Sequence, residues 1–243
     1  REVARQMAEQ GMKESEIKDW LGVSASTVSG WVSDITKRQQ RSRDARIWWL
    51  HVLGWKQGEI GETVGWTQPR VSEVVSEISS LKKAILDQFS RGRTPQQIAE
   101  AEDIPTKLVE VLLLDGKTDR ERMDAMKVGI RPYDVWSFSW CDPRFGFDYP
   151  GRIPGQIVLH ALYFFTKPGD LVIDPMAGSG TVVDACAYMG RRVYAYDVHP
   201  PESREDILKH DLRDGWPERT KKAKLIFWDP PYFKKKDEEY GDQ

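Results

Sequence analysis

Cysteine is scarce in this 243-residue chain: Cys141 and Cys186 are the only two, and no CxxC occurs. The four histidines show no ligand spacing. Neither a disulfide framework nor a structural metal site is expected, and a reducing, cytoplasmic setting is the natural one. Long apolar runs are lacking too. Stretches 156–165 and 224–228 fall far short of the roughly 20 residues a bilayer span needs, so no membrane partner is expected. No charged-then-apolar leader follows Arg1, which leaves secretion without support. Net charge is only −2, so any nucleic-acid contact must come from local basic patches. The remaining composition, 40% hydrophobic and 30% charged, is ordinary for a globular chain. Ten tryptophans are many for this length and suggest stacking surfaces, although most such residues fill cores.

What the chain does contain is repetition. Glu16-Ile17-(x3)-Leu21-Gly22-Val23-Ser24-(x3)-Val28 returns as Glu59-Ile60-(x3)-Val64-Gly65-Trp66-Thr67-(x3)-Val71. A weaker third copy reads Gln97-Ile98, Ile104-Pro105, Val109. Each has apolar residues at helical spacing, a break, and a second apolar-periodic run, which predicts helix, tight turn, helix. Gly22 and Gly65 supply a permissive backbone at the turn, and Ser24 and Thr67 are expected to cap the second helices.

Copies one and two resemble the helix-turn-helix of plasmid-partition and transcription-regulator proteins. The resemblance implies double-stranded DNA as partner, with Ser24, Ser26 and Thr27 of copy one near base edges and phosphates. In copy two the matching surface is Thr67, Gln68 and Arg70; Gln68 suits adenine, and Arg70 suits guanine or a phosphate. Between the copies runs KRQQRSRDAR, where Arg41, Arg43 and Arg46, with Lys37 and Arg38, form an expected phosphate clamp. The competing reading makes these helices protein-contact modules and the basic run a solvated face. Copy three lacks the turn glycine and has an acidic approach, so it is the weaker candidate.

From Asp170 onward the rhythm changes. Leu171–Asp174, Arg192–Asp197, 207–211 and 224–229 are short β-rich runs ending in aspartate, and the helical stretch Thr181–Met189 separates the first two. That alternation predicts an α/β domain with a parallel sheet. The expected fold is an all-α helix-turn-helix array over residues 1–125, in modules of about 1–45, 46–85 and 86–118, then a Rossmann-like α/β domain over 126–243. The boundary is expected in the charged stretch 115–129, with 131–155 as an irregular lead-in. So few strands precede Gln243 that the α/β domain reads as incomplete at its C-terminus and the chain as a trimmed one.

Four acidic signals fall on the four β-rich runs. Asp174-Pro175-Met176-Ala177-Gly178-Ser179-Gly180-Thr181 follows the first and opens a helix, where glycines allow close ligand approach. Val183 stands where the dinucleotide fingerprint has its third glycine, which counts against NAD or FAD. Asp197 ends the second run, where a carboxylate can accept both ribose hydroxyls. Asp211 ends the third, and Asp229-Pro230-Pro231-Tyr232 follows the fourth. Singly, each has a plain alternative: an aspartate at a strand end caps a helix or turn, and Pro-Pro-Tyr makes a rigid turn. Cys186 sits inside the helix and is expected in the core.

In this order, the motifs resemble the DNA amino-methyltransferases, the family that methylates adenine N6 or cytosine N4. The resemblance runs from about Tyr133 to Tyr232, and includes the stretch 150–157 with its following helix. It implies S-adenosylmethionine as cofactor, with Asp174, Gly178, Gly180 and Thr181 along its methionine part, Asp197 at the ribose and Asp211 at its adenine. Asp229, Pro230 and Tyr232 would be catalytic, and Tyr232 or Phe233 would stack on a flipped-out base. Adenine N6 is favoured, because cytosine-N4 members more often carry Ser at the position of Asp229. No recognition insert separates the loop from Asp229, so target recognition is expected from the helix-turn-helix copies or from sequence outside this chain. Other readings stay open: a non-catalytic DNA-binding adaptor that keeps the α/β half as a cofactor sensor, and an RNA methyltransferase. Lys234–Lys236 is either a phosphate contact or a solvated run. Oligomeric state is open, a dimer included.

Overall fold

The computed structural model describes residues 1–133, 135–148 and 151–230. The first three helices, α1 (Glu2–Glu9), α2 (Glu14–Leu21) and α3 (Ala25–Val52), close over a small core of Ala4, Ala8, Ile17, Val28, Val32 and Ile35. Gly22 ends α2 in the left-handed region (φ 64°), and Ser24 caps α3 by accepting the Thr27 N–H at 3.1 Å. The second helix of copy one does not stop there. It runs 28 residues and contains the whole basic stretch, so the expected inter-copy linker is helix. The 45/46 module border falls inside it.

Copy two forms α4 (Gln57–Val64) and α5 (Gln68–Ser76), again turned by a left-handed glycine, Gly65 (φ 72°). Thr67 stands at the N-cap of α5 but makes no side-chain capping bond, unlike Ser24. After α6 (Ile78–Ser90), copy three forms α7 (Pro95–Glu102) and α8 (Thr106–Leu113), with Asp103 in the left-handed position glycine occupies in the other copies. The charged stretch read as a domain boundary carries a further helix, α9 (Asp119–Ala125), and Met123 in it and Met126 just after it lie in the core. A charged exterior hid two buried methionines there.

The α/β part contains α10 (Gly155–Phe165), β1 (Leu171–Asp174), α11 (Thr181–Met189), β2 (Arg192–Asp197), β3 (Ile207–Lys209) and β4 (Leu225–Ile226). β1 and β2 end on aspartate as expected; β3 and β4 stop short of Asp211 and Asp229. The described strands are all parallel, in the order β3-β2-β1-β4. The chain therefore winds outward from β1 through β3, then crosses back to the other side of β1. The reversal places the topological switch point at the carboxyl ends of β1 and β4, where the crevice that holds ligands lies in such sheets.

One continuous apolar core runs from Trp48 and Ile60 through Leu108 and Met123 to Val158, Val172 and Val183, without a seam between helical and α/β parts. Buried polar contacts bind the two as well. Arg191, fully buried at the start of β2, donates to the Asp119 carboxylate in α9, to the Thr166 hydroxyl, and to carbonyls of Leu162, Thr166 and Met189. Such a charge is tolerated inside only because its donors are satisfied. No helix of the described residues is long and apolar enough to cross a membrane.

Candidate active site

Asp174, Asp197 and Asp229 lie at the carboxyl ends of β1, β2 and β4, at the crevice. Asp174 is buried, Asp197 half-buried and Asp229 exposed. Burial pushes the Asp174 carboxyl up to about 7; the Met176 N–H, donating at 3.2 Å, opposes this, and the negative charges of Asp197 and Asp229 add to it. The Asp174 carboxyl thus feels both neighbouring carboxylates, and it is poised to change protonation near neutrality.

The 175–180 loop is fastened to β2. The Ala177 N–H donates to the Tyr196 carbonyl at 2.9 Å and the Gly178 N–H to Asp197 Oδ2 at 2.8 Å. Asp197 Oδ1 accepts the His199 N–H at 2.9 Å. Each Asp197 oxygen already serves one backbone donor, and each carries a further lone pair. Gly180 (φ 81°) lies beneath the Arg204 guanidinium, and a Cβ there would collide with it. Glycine at this position therefore makes room for an internal arginine. Thr181 is buried, its hydroxyl 3.2 Å from that of Ser179, so it faces the protein interior. Asp211 follows the plain alternative: it caps a short 3-10 turn through the Arg213 N–H and pairs with that guanidinium, which holds its carboxyl down at about 2.

Pro230 is exposed next to Asp229, and Tyr232 and Phe233 lie outside the described residues, as do Pro231 and Lys234–Lys236. Trp228, beside Asp229, donates its indole N–H to Met176 Sδ at 3.3 Å and meets Trp216 edge to face at 5.8 Å. Cys186 is buried in α11 and its thiol is pushed up by burial, so it offers no ready nucleophile.

On the helical side, Ser24 Oγ binds the hydroxyls of Ser26 and Thr27 at 2.9 and 2.7 Å, so the three form one local cap cluster at the exposed start of α3. Thr67, Gln68 and Arg70 are exposed at the start of α5; Arg70 pairs with Glu73 and stacks over Trp66 at 5.3 Å. The expected clamp is not gathered in one place. Arg41 binds the Glu102 carbonyl at 2.9 Å and carboxylate at 3.0 Å and lies over Trp48. Arg46 pairs with Glu205, while Arg43 donates to the Gln39 carbonyl at 3.3 Å and stays exposed. Copy three turns its second helix inward: Leu108, Val109, Val111 and Leu112 are buried, Lys107 pairs with Asp184 at 2.7 Å, and Glu110 accepts the Tyr188 hydroxyl. That helix is a packing element against α11.

Sequence reasoning missed Arg204, Asp184 and Asp206. One signal was present: Asp184 interrupts an otherwise apolar helix, and a buried carboxylate needs a partner.

Residues 25–206 match the sequence profile of the DNA methylase family of the N6/N4 type. No curated protein and no solved structure matches the chain. The family match takes in α3 through the 175–180 loop and Asp197, and ends before Asp229. Since it spans more than half of the chain, this protein belongs to the N6/N4 DNA methylase family.

Proposed function

We propose that this chain transfers a methyl group from S-adenosylmethionine to an exocyclic base amine in double-stranded DNA, adenine N6 in preference to cytosine N4. The observation that carries the reading is the meeting of Asp174, Asp197 and Asp229 at the β1–β4 crevice, with the loop glycines beside them.

These residues fit the cofactor's chemistry. A buried carboxyl raised further by two neighbouring carboxylates favours a ligand with positive groups, and both an ammonium and a sulfonium would relieve the repulsion on Asp174. Asp197 keeps lone pairs for a ribose diol. In the first turn of α10, Gln156 has a buried Oε1 without a partner among the described residues, an acceptor suited to an ammonium N–H. When bound, S-adenosylmethionine supplies an electrophilic methyl group.

The protein's own residues prepare the amine. An exocyclic amine is a weak nucleophile because its lone pair is delocalised into the ring. Asp229 and the Pro230 carbonyl, accepting its hydrogens, would pyramidalise the nitrogen and aim the lone pair away from the ring. Tyr232 or Phe233 would stack on the extruded base, worth about 1–3 kcal/mol, against an extrusion cost of a few kcal/mol. Gln68 and Arg70 at the exposed start of α5 would read base edges, with Ser26 and Arg43 as phosphate contacts. The test is incubation with labelled S-adenosylmethionine and duplex DNA, then nucleoside separation. N6-methyladenine is the expected product; 5-methylcytosine or unmodified DNA would overturn the reading.

A further inference from the structure

Arg204, between β2 and β3, lies behind the 175–180 loop, and its guanidinium covers Gly180. All five of its N–H bonds have acceptors. Nε–H donates to Asp206 Oδ1 at 2.8 Å; Nη2 donates to Asp206 Oδ2 at 2.9 Å and Asp184 Oδ1 at 3.2 Å. Nη1 donates to Asp184 Oδ2 at 3.1 Å and to the Ser179 carbonyl, in the loop itself, at 3.3 Å. Asp184 and Asp206 are both buried, so the arginine is clamped from two sides.

Each clamping carboxylate is also held from the helical side. Asp206 Oδ2 accepts the indole N–H of Trp49, near the end of α3, at 2.8 Å. Asp184 Oδ2 accepts Lys107 Nζ of α8 and the Gly146 N–H, both at 2.7 Å. Because α3 is one uninterrupted helix, Trp49 and the exposed Ser24–Ser26 end belong to a single rod.

We propose that Arg204 is a positioning residue for the loop, and that Trp49 makes its placement depend on α3, so that DNA engagement and cofactor binding are coupled. The proposal rests on reading the loop as the S-adenosylmethionine site. By linkage, duplex DNA must raise cofactor affinity by the same factor as the cofactor raises DNA affinity, about fivefold or more for a coupling of ordinary size.

Two variants test it in the full chain. Trp49→Phe keeps the ring and removes the indole donor; Arg204→Lys keeps the charge and removes the planar fork. Calorimetric titration with S-adenosylmethionine, with and without duplex DNA, reads the coupling. Hydrogen exchange at the Gly178 and Gly180 amides, without any ligand, reads the loop. Trp49→Phe should lose most of the gain in cofactor affinity on adding DNA. Arg204→Lys should weaken cofactor binding about tenfold and speed exchange at Gly178 and Gly180, while α11 core amides keep wild-type protection. The proposal fails if wild-type affinity ignores DNA, if Trp49→Phe retains the full gain, or if loop exchange in Arg204→Lys is unchanged. Should the wild type bind no S-adenosylmethionine, the cofactor reading fails instead, and loop exchange alone still decides whether Arg204 holds the loop.

Discussion

The indole N–H of Trp55 donates to the carbonyl of Val193 at 3.1 Å. The N–H of the same Val193 donates to the Leu53 carbonyl at 3.0 Å. The turn between α3 and α4 thus does for the start of β2 what a neighbouring strand does further along, where β3 pairs with it from Ala195 onward. Glu59 of α4 adds a contact, accepting the Tyr194 hydroxyl at 2.6 Å. The helical array thus supplies hydrogen-bond partners to the backbone at the start of β2.

Trp55→Phe tests that joint. It keeps an aromatic ring in the core but leaves the Val193 carbonyl without its donor, which should cost about 1–3 kcal/mol. Denaturant unfolding measures the loss, and a change below about 0.5 kcal/mol, the range of ordinary surface substitutions, would show that the bond contributes little.

Arg191→Met should be more damaging. The substitution approximates the volume but strands the Asp119 carboxylate and the carbonyls of Leu162, Thr166 and Met189. Removing one partner of a buried pair costs about 3–5 kcal/mol, and equilibrium unfolding should show a loss of that size.

Asp174 gives a pH signature. Its folded-state value, about 7, lies above the ordinary 3.8, so its ionisation weakens the fold. That stability is fully present below about 4, declines as pH rises towards 7, and does not change further above. A cationic ligand favours the ionised form, so S-adenosylmethionine affinity should rise with pH up to about 7 and then level off. Asp174→Asn should flatten that profile. Calorimetry between pH 5.5 and 8.5 checks it, roughly spanning the window in which the group titrates; a wild-type profile without slope below 7 would exclude Asp174 from the binding equilibrium.

Asp229→Ala should abolish methyl transfer while cofactor and duplex binding stay near wild type, because the missing contact acts in the transition state. Single-turnover transfer measured beside separate binding titrations distinguishes this from a folding defect. Undiminished transfer would remove Asp229 from the chemistry.

Gln68→Ala and Arg70→Ala should change which duplex sequence is preferred, each by about 1–3 kcal/mol of discrimination. Arg43→Ala should instead weaken all duplexes alike and lower the salt slope by about one. Arg41 behaves differently: its part-buried pair with Glu102 makes its loss a stability effect first, whereas the exposed Arg46–Glu205 pair contributes little to stability. Binding measured across salt on two unrelated duplexes separates these outcomes.

What the amino-acid sequence determined by itself is what short-range physics governs. The left-handed turns at Gly22 and Gly65, the Ser24 cap, the helices flanking each turn, strands β1 and β2 and the glycine loop after Asp174 all follow from residues within a few positions of one another. Tertiary structure decided the rest, because the deciding partners are distant in the chain. Arg41 meets Glu102 across 61 residues and Arg46 meets Glu205 across 159, so two members of the expected phosphate clamp carry carboxylate partners from distant parts of the chain. Burial together with two other carboxylates raises Asp174, and no local pattern encodes burial. Gly180 reads as a cofactor glycine in the sequence, and only the folded chain brings Arg204 over it as well. Aspartates at strand ends were visible as a series; their union at one crevice required the sheet to reverse its winding between β3 and β4.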